Sequence, residues 1–167
     1  MTSMRNAFHF PAVVNDKAAR VVASGVALIA GAALVTGWLW LAMVLALGFA
    51  LRVASGPRFS PLGQLATKVL APRLGEARMV PGPPKRFAQA IGLVLMSAAA
   101  ISLVLGSPLV TSVLLGVLLV FATLEAALGF CAGCWVFGHL VRLGLVSQET
   151  CEACGDISLR RREAAAA

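Results

Sequence analysis

Tyrosine is absent from this 167-residue chain, and charge is scarce: 13% of its residues are Asp, Glu, Lys or Arg, against roughly 25% in ordinary soluble domains. With 59% hydrophobic residues and a mean hydropathy of +0.89, that shortage excludes a soluble globular domain and defines a membrane protein. Leu, Ala, Val and Gly take the place of the missing polar residues, which suits helices packed closely in lipid through small side chains. Acids are the scarcer sign, 7 against 14 cations, for a net charge of +7. A basic surplus can mean nucleic acid, but no aromatic-basic platform or recognition motif accompanies it, so nucleic acid is excluded as a partner. The cations flank apolar runs instead, as orientation in a bilayer and attraction to anionic lipid require. Also missing are a phosphate-binding loop, a Ser-His-Asp set and an H-E-x-x-H signature. The first residues, MTSMRNAFHFPAVVNDKAAR, lack the short cationic lead into an apolar core and cleavage site. The first apolar segment is therefore expected to stay as an anchor.

No charge lies between Arg20 and Arg52. Those 31 residues, at about 1.5 Å each, overrun a hydrocarbon core of roughly 30 Å. The stretch VTGWLW breaks the run, since Thr36-Gly37 can turn and Trp38 and Trp40 favour the interface. A span over about 16–35, N-capped by Asn15, then returns over about 38–54; a single strongly tilted helix is the alternative. Residues 55–86 are rich in Pro and Gly and form a loop. Within it Leu62, Leu65, Val69 and Leu70 share a helical face beside Lys68 and Arg73, as in a short interfacial helix. From Phe87 to Leu124 charge is again missing, and Gly106-Ser107-Pro108 divides the run. Spans three and four cover about 87–105 and 109–130, the last extending to about 143, with Pro108 at a favoured helix start.

The fold class expected is thus an all-α membrane protein. Four transmembrane helices form two hairpins over residues 16–145, after an N-terminal segment (1–15) and before a tail (146–167). All 14 cations fall on one side of this arrangement, and the two opposite turns carry none. The positive-inside rule puts both termini and the central loop in the cytoplasm, in the inner (plasma) membrane. The runs RVVASGVALIAGAALVTG and RFAQAIGLVLMSAAAISLVLG each lead from an Arg through small residues into a Gly turn, a loose internal repeat of the kind that builds membrane bundles.

Four cysteines complete the inventory, Cys131, Cys134, Cys151 and Cys154. They make two C-x-x-C pairs, one at the end of the last apolar run and one in the polar tail. On a continuous helix Cys131 and Cys134 lie about 60° apart, whereas Glu125, the lone acid inside a span, points about 120° and 180° away from them. Intramembrane carboxylates are functional candidates. The spacing C-x2-C-x16-C-x2-C fits a tetracysteine zinc site, with His139 able to replace one thiolate. It equally fits a redox relay, in which a reducing compartment favours catalytic over structural pairs and the tail thiols meet a soluble partner.

Three stretches, DKAARVVASG, GPPKRFAQAIGLVL and GFCAGCWVFGHLVRLGLVSQETCEACGDI, resemble a bacterial integral-membrane family known as domain of unknown function 4395. The likeness covers most of residues 15–157 and is most specific at F-C-x-G-C (130–134) and the C-E-x-C tail (151–154). It implies thiol or sulfur chemistry and a thioredoxin-like or rhodanese-like soluble partner, without naming a reaction. Two readings follow. One is a membrane thiol-disulfide or sulfur-relay component using both pairs. The other is a non-enzymatic membrane protein whose four cysteines hold zinc. A transporter of a small sulfur compound is a third, with Glu125 as its only support. Quinone-linked disulfide-forming enzymes offer an analogy in helix number and thiols, but theirs face outward and the charges here face inward.

Overall fold

A computed structural model describes residues 13–56, 60–75 and 79–144; Cys151, Cys154 and the tail pair's surroundings lie outside them. The described residues are mostly helical. Strand β1 (Val13–Asn15) leads into helix α1 (Asp16–Thr36), followed by α2 (Leu41–Ser55) and a short α3 (Pro61–Leu65). Strand β2 (Met79–Pro81) then leads into α4 (Gly82–Val104), α5 (Pro108–Leu128) and α6 (Ala132–Arg142). The two strands pair antiparallel, Val14 opposite Val80, and tie the starts of α1 and α4 together. Three residues each is too short a run for a period-2 pattern to be read from sequence.

The helix ends have local causes. Asn15 accepts from the Lys17 amide at 3.0 Å and caps α1, and Gly37, with φ +74°, closes it. Gly106 (φ +76°) and Pro108 separate α4 from α5. α1, α4 and α5 are long and apolar enough to cross a membrane, and Leu28, Val94 and Leu109 on their outer faces are 75%, 70% and 77% exposed. Water-facing surfaces rarely present such continuous apolar area. α2 has 15 residues, about 22 Å at 1.5 Å each.

α1 packs against α5, α2 against α4, and α4 against α5. Small residues allow the approach: Ala30, Ala33, Ala42 and Ala99 are fully buried beside Met96 and Leu115. At Gly92 a Cβ would overlap the Phe49 ring, so α2 and α4 meet there through the missing side chain. Thr111 donates from Oγ1 to the Ala99 carbonyl at 3.1 Å, binding α5 to α4 inside the core.

In the central segment α3 runs on through a π turn (66–70) and a 3-10 turn (71–74). The small residues Gly63, Ala66 and Ala71 are buried against the bundle, while Leu65, Val69, Leu70 and Leu74 are exposed. The apolar face anticipated for this segment therefore looks outward. Leu62 alone of that set turns in, against Gly25 of α1, where a Cβ would stand 2.7 Å from its Cδ1.

The fourth apolar run does not continue to 143. It ends at Leu128, because Gly129 takes φ +70° and the amides of Gly129 and Phe130 turn back to the carbonyls of Glu125 and Leu124. Arg20 of α1 completes that end, donating to the Ala126 carbonyl at 3.1 and 3.2 Å and to Ala127 at 2.8 Å. A cation on the last carbonyls is favourable both as a donor and against the helix dipole. The chain then starts a separate helix, α6, which packs on the first turns of α4.

Candidate functional site

Cys131 is the first residue past the break and the N-cap of α6. Its Sγ accepts from the Cys134 amide at 3.4 Å and from the Cys134 thiol, with the sulfurs 2.7 Å apart. The break thus does what a continuous helix could not: it puts one thiol at a helix start, where amides and the dipole favour a thiolate, and its partner in the first turn. The Cys131 thiol is held below its ordinary range, chiefly by the hydrogen bond from Cys134 and further by the Cys134 amide and Lys85, against burial and Glu125. The Cys134 thiol is pushed up, first by giving that hydrogen bond and then by burial. The two thiols of the pair are thus shifted in opposite directions.

The motif glycine has a packing reason. A Cβ at Gly133 would stand 2.5 Å from the Ala88 Cβ and 2.6 Å from its Cα, so only glycine lets α6 press on α4. Phe137 adds to this contact, its ring 5.6 Å from that of Phe87.

Beside the thiols is a buried charge cluster. Lys85 of α4 pairs with Asp16 of α1 at 3.2 Å and Glu125 of α5 at 2.8 Å, joining three helices. Glu125 had pointed away from the cysteines on a straight helix; with the chain doubling back at Gly129, Glu125 and Cys131 line one cavity. Among the described residues no three His, Cys, Asp or Glu side chains come together at metal-holding distances. His139 stacks edge-on against Trp135 on the exposed side of α6, ring centroids 4.2 Å apart, and does not join the thiols.

Two openings meet at Cys131. A polar cleft of about 620 Å³ is bordered by Asp16, Arg20, Lys85, Cys131, Cys134 and Trp135. An apolar cavity of about 210 Å³ lies between the long helices, and its polar lining comes from Arg52, Gln89, Glu125 and Cys131. Lys85, Arg52 and Gln89 had no role in the sequence reading, which took the two cations as flanks of the central loop. The only signal was position: PPK starts a helix and Arg52 precedes the end of one, so both side chains belong to helices.

Fold and site together define a class, an all-helical membrane protein with a vicinal dithiol at a helix start. The family model described as Domain of unknown function (DUF4395) matches residues 14–142, and the chain belongs to that family. No curated protein and no solved structure matches it.

Proposed function

We propose that the protein is a multi-pass inner-membrane thiol-disulfide or sulfur-relay component. The observation that carries this is the Cys131–Cys134 pair, an N-cap sulfur accepting from a helix amide and from a second thiol 2.7 Å away. In exchange, a partner thiolate attacks Cys131 of the Cys131–Cys134 disulfide. Cys134 leaves and takes up a proton, and a second partner thiol then displaces Cys131. Two electrons pass to the pair and a disulfide forms in the partner. Cys151 and Cys154 serve as the tail pair that meets a thioredoxin-like or rhodanese-like soluble protein, and the polar cleft supports access from that side.

In this reading α2 is a fourth, short span, so that α1–α2 and α4–α5 are hairpins. Its outward Met43, Val44 and Leu47 support contact with lipid. The one-sided distribution of the cations supports cytoplasmic termini.

The test is thiol mapping on the purified full chain. Alkylation followed by mass spectrometry is expected to find Cys131 and Cys134 blocked after oxidation, freed by mild reductant, with no bound metal. Stoichiometric zinc protecting all four cysteines would replace the relay with a metal cage.

A further inference from the structure

α6 packs on α4 with one side and leaves the other uncovered. Trp135, His139 and Arg142, at i, i+4 and i+7, share one face of that helix. All three are exposed, and a Cβ at Gly138 beside them would meet nothing within 4 Å. Trp135, 59% exposed, is also on the border of the polar cleft, together with Phe130 and Leu128, 44% and 73% exposed. An open strip therefore runs along α6 from its last turn to the cleft that holds Cys131 and Cys134.

Where α6 ends decides what can reach that strip. Gly144, with φ +73°, is just past the helix end. At 1.5 Å per residue it stands about 20 Å along the axis from Cys131. Cys151 and Cys154 follow seven and ten residues after Gly144, for reaches of at most about 25 and 36 Å. Both exceed the length of α6, and Cys154 does so with enough chain left to pass over the Trp135 ring. Residues 145–157 carry Glu149, Glu152 and Asp156 and no cation, whereas the strip and the cleft border present Arg142, Arg20 and Lys85 against Asp16 alone. Segment and surface are matched in length and opposite in charge.

We propose that residues 145–154 dock along this strip and bring Cys154 to Cys131 in the cleft, so that the dithiol partner of the bundle pair is the chain's own tail. The inference rests on the thiol-disulfide reading above and names its partner. The Cys154 thiolate attacks Cys131 of the Cys131–Cys134 disulfide, that S–S bond breaks, and Cys134 leaves and takes up a proton. Cys151 then attacks Cys154 in the mixed disulfide, and Cys131 leaves as a thiolate. The bundle pair gains two electrons and the tail becomes the Cys151–Cys154 disulfide, one of its two thiol protons ending on Cys134 and the other in solvent. A tethered thiol acts at an effective concentration on the order of mM, so this step needs no encounter with a second molecule. The soluble protein meets the tail disulfide that results.

The experiment uses the full chain in detergent carrying Cys134→Ser and Cys151→Ser, which leaves Cys131 and Cys154, with a small amount of oxidised glutathione as oxidant. Peptide mapping by mass spectrometry is expected to find a reducible Cys131–Cys154 bond within one chain, formed at a rate independent of protein concentration. Removing residues 146–150 puts Cys154 five residues from Gly144, a reach of at most about 18 Å. The yield of the bond is then expected to fall at least tenfold while Cys131 still takes glutathione. Arg142→Glu is expected to slow the bond about threefold at low salt, the scale of an exposed ion pair. A Cys131–glutathione adduct that Cys154 never displaces, or a bond that forms only between chains, overturns this inference and leaves the relay standing. A yield untouched by the deletion, or a rate untouched by Arg142→Glu, overturns the docked strip. Cys131 that takes no glutathione in a variant lacking the other three cysteines overturns the relay itself.

Discussion

Two buried cations stand at one end of the bundle. Lys85, in the polar cleft, has carboxylates at 3.2 and 2.8 Å, whereas Arg52, in the apolar cavity, has a glutamine oxygen, a phenyl face and a bare Nη2. The first cation is saturated and joins α1, α4 and α5. The second is held in place by these contacts but keeps one buried nitrogen without a partner. Cys131 borders both openings.

The contrast breaks most easily at Lys85. Lys85→Met leaves two largely buried carboxylates without a counter-charge, and removing one partner of such a cluster costs about 3–5 kcal/mol. A large drop in Tm in detergent is expected, and an unchanged Tm would erase the distinction between the two cations. Next comes the partition itself. Gly133→Ala puts a methyl against the Ala88 backbone, an overpacking worth about 1–3 kcal/mol. Lifting α6 from α4 should lower Tm and speed alkylation of Cys134. Gly138→Ala meets nothing within 4 Å and serves as the control, expected to be neutral or slightly stabilising.

The third effect is one of pH. Because the Cys131 thiol is depressed, its alkylation rate should reach half-maximum below the value of about 8.5 for a free cysteine, while Cys134 stays slow well above it. Rates mapped by mass spectrometry across pH 5 to 10 (roughly, spanning the free-thiol value) check this. Lys85→Met should raise the Cys131 midpoint, since it removes the cation and leaves Glu125. The smallest effect is expected at Arg52: Arg52→Met removes an unsatisfied donor and should leave stability within about 1 kcal/mol of wild type or raise it. A drop in Tm matching that of Lys85→Met would make Arg52 structural after all.

What was legible in the sequence is what lipid dictates locally. Uncharged runs between cations mark the long helices, and Asn15, Gly37, Gly106 and Pro108 all stand at helix ends. What was not legible depends on contacts distant in sequence. Gly129 looks like any small residue in an apolar run until Arg20, more than 100 positions earlier, caps the carbonyls behind it. Missing that break put Glu125 too far from Cys131, with which it lines one cavity, because 120° on a straight helix has no meaning once the chain doubles back. The central segment failed for a related reason: amphipathic spacing identifies a face but not whether protein or lipid covers it, and here the alanine and glycine side is the one pressed on the bundle. The F-C-x-G-C stretch was recognisable as a thiol motif, yet the reason for its glycine is Ala88 on another helix.

The most direct measurement is trapping on the full chain carrying Cys134→Ser, mixed with oxidised glutathione and mapped by mass spectrometry. The account predicts a stable mixed disulfide at Cys131, whereas the wild type resolves it into a Cys131–Cys134 disulfide. No adduct at Cys131 under conditions that modify the tail cysteines would contradict it.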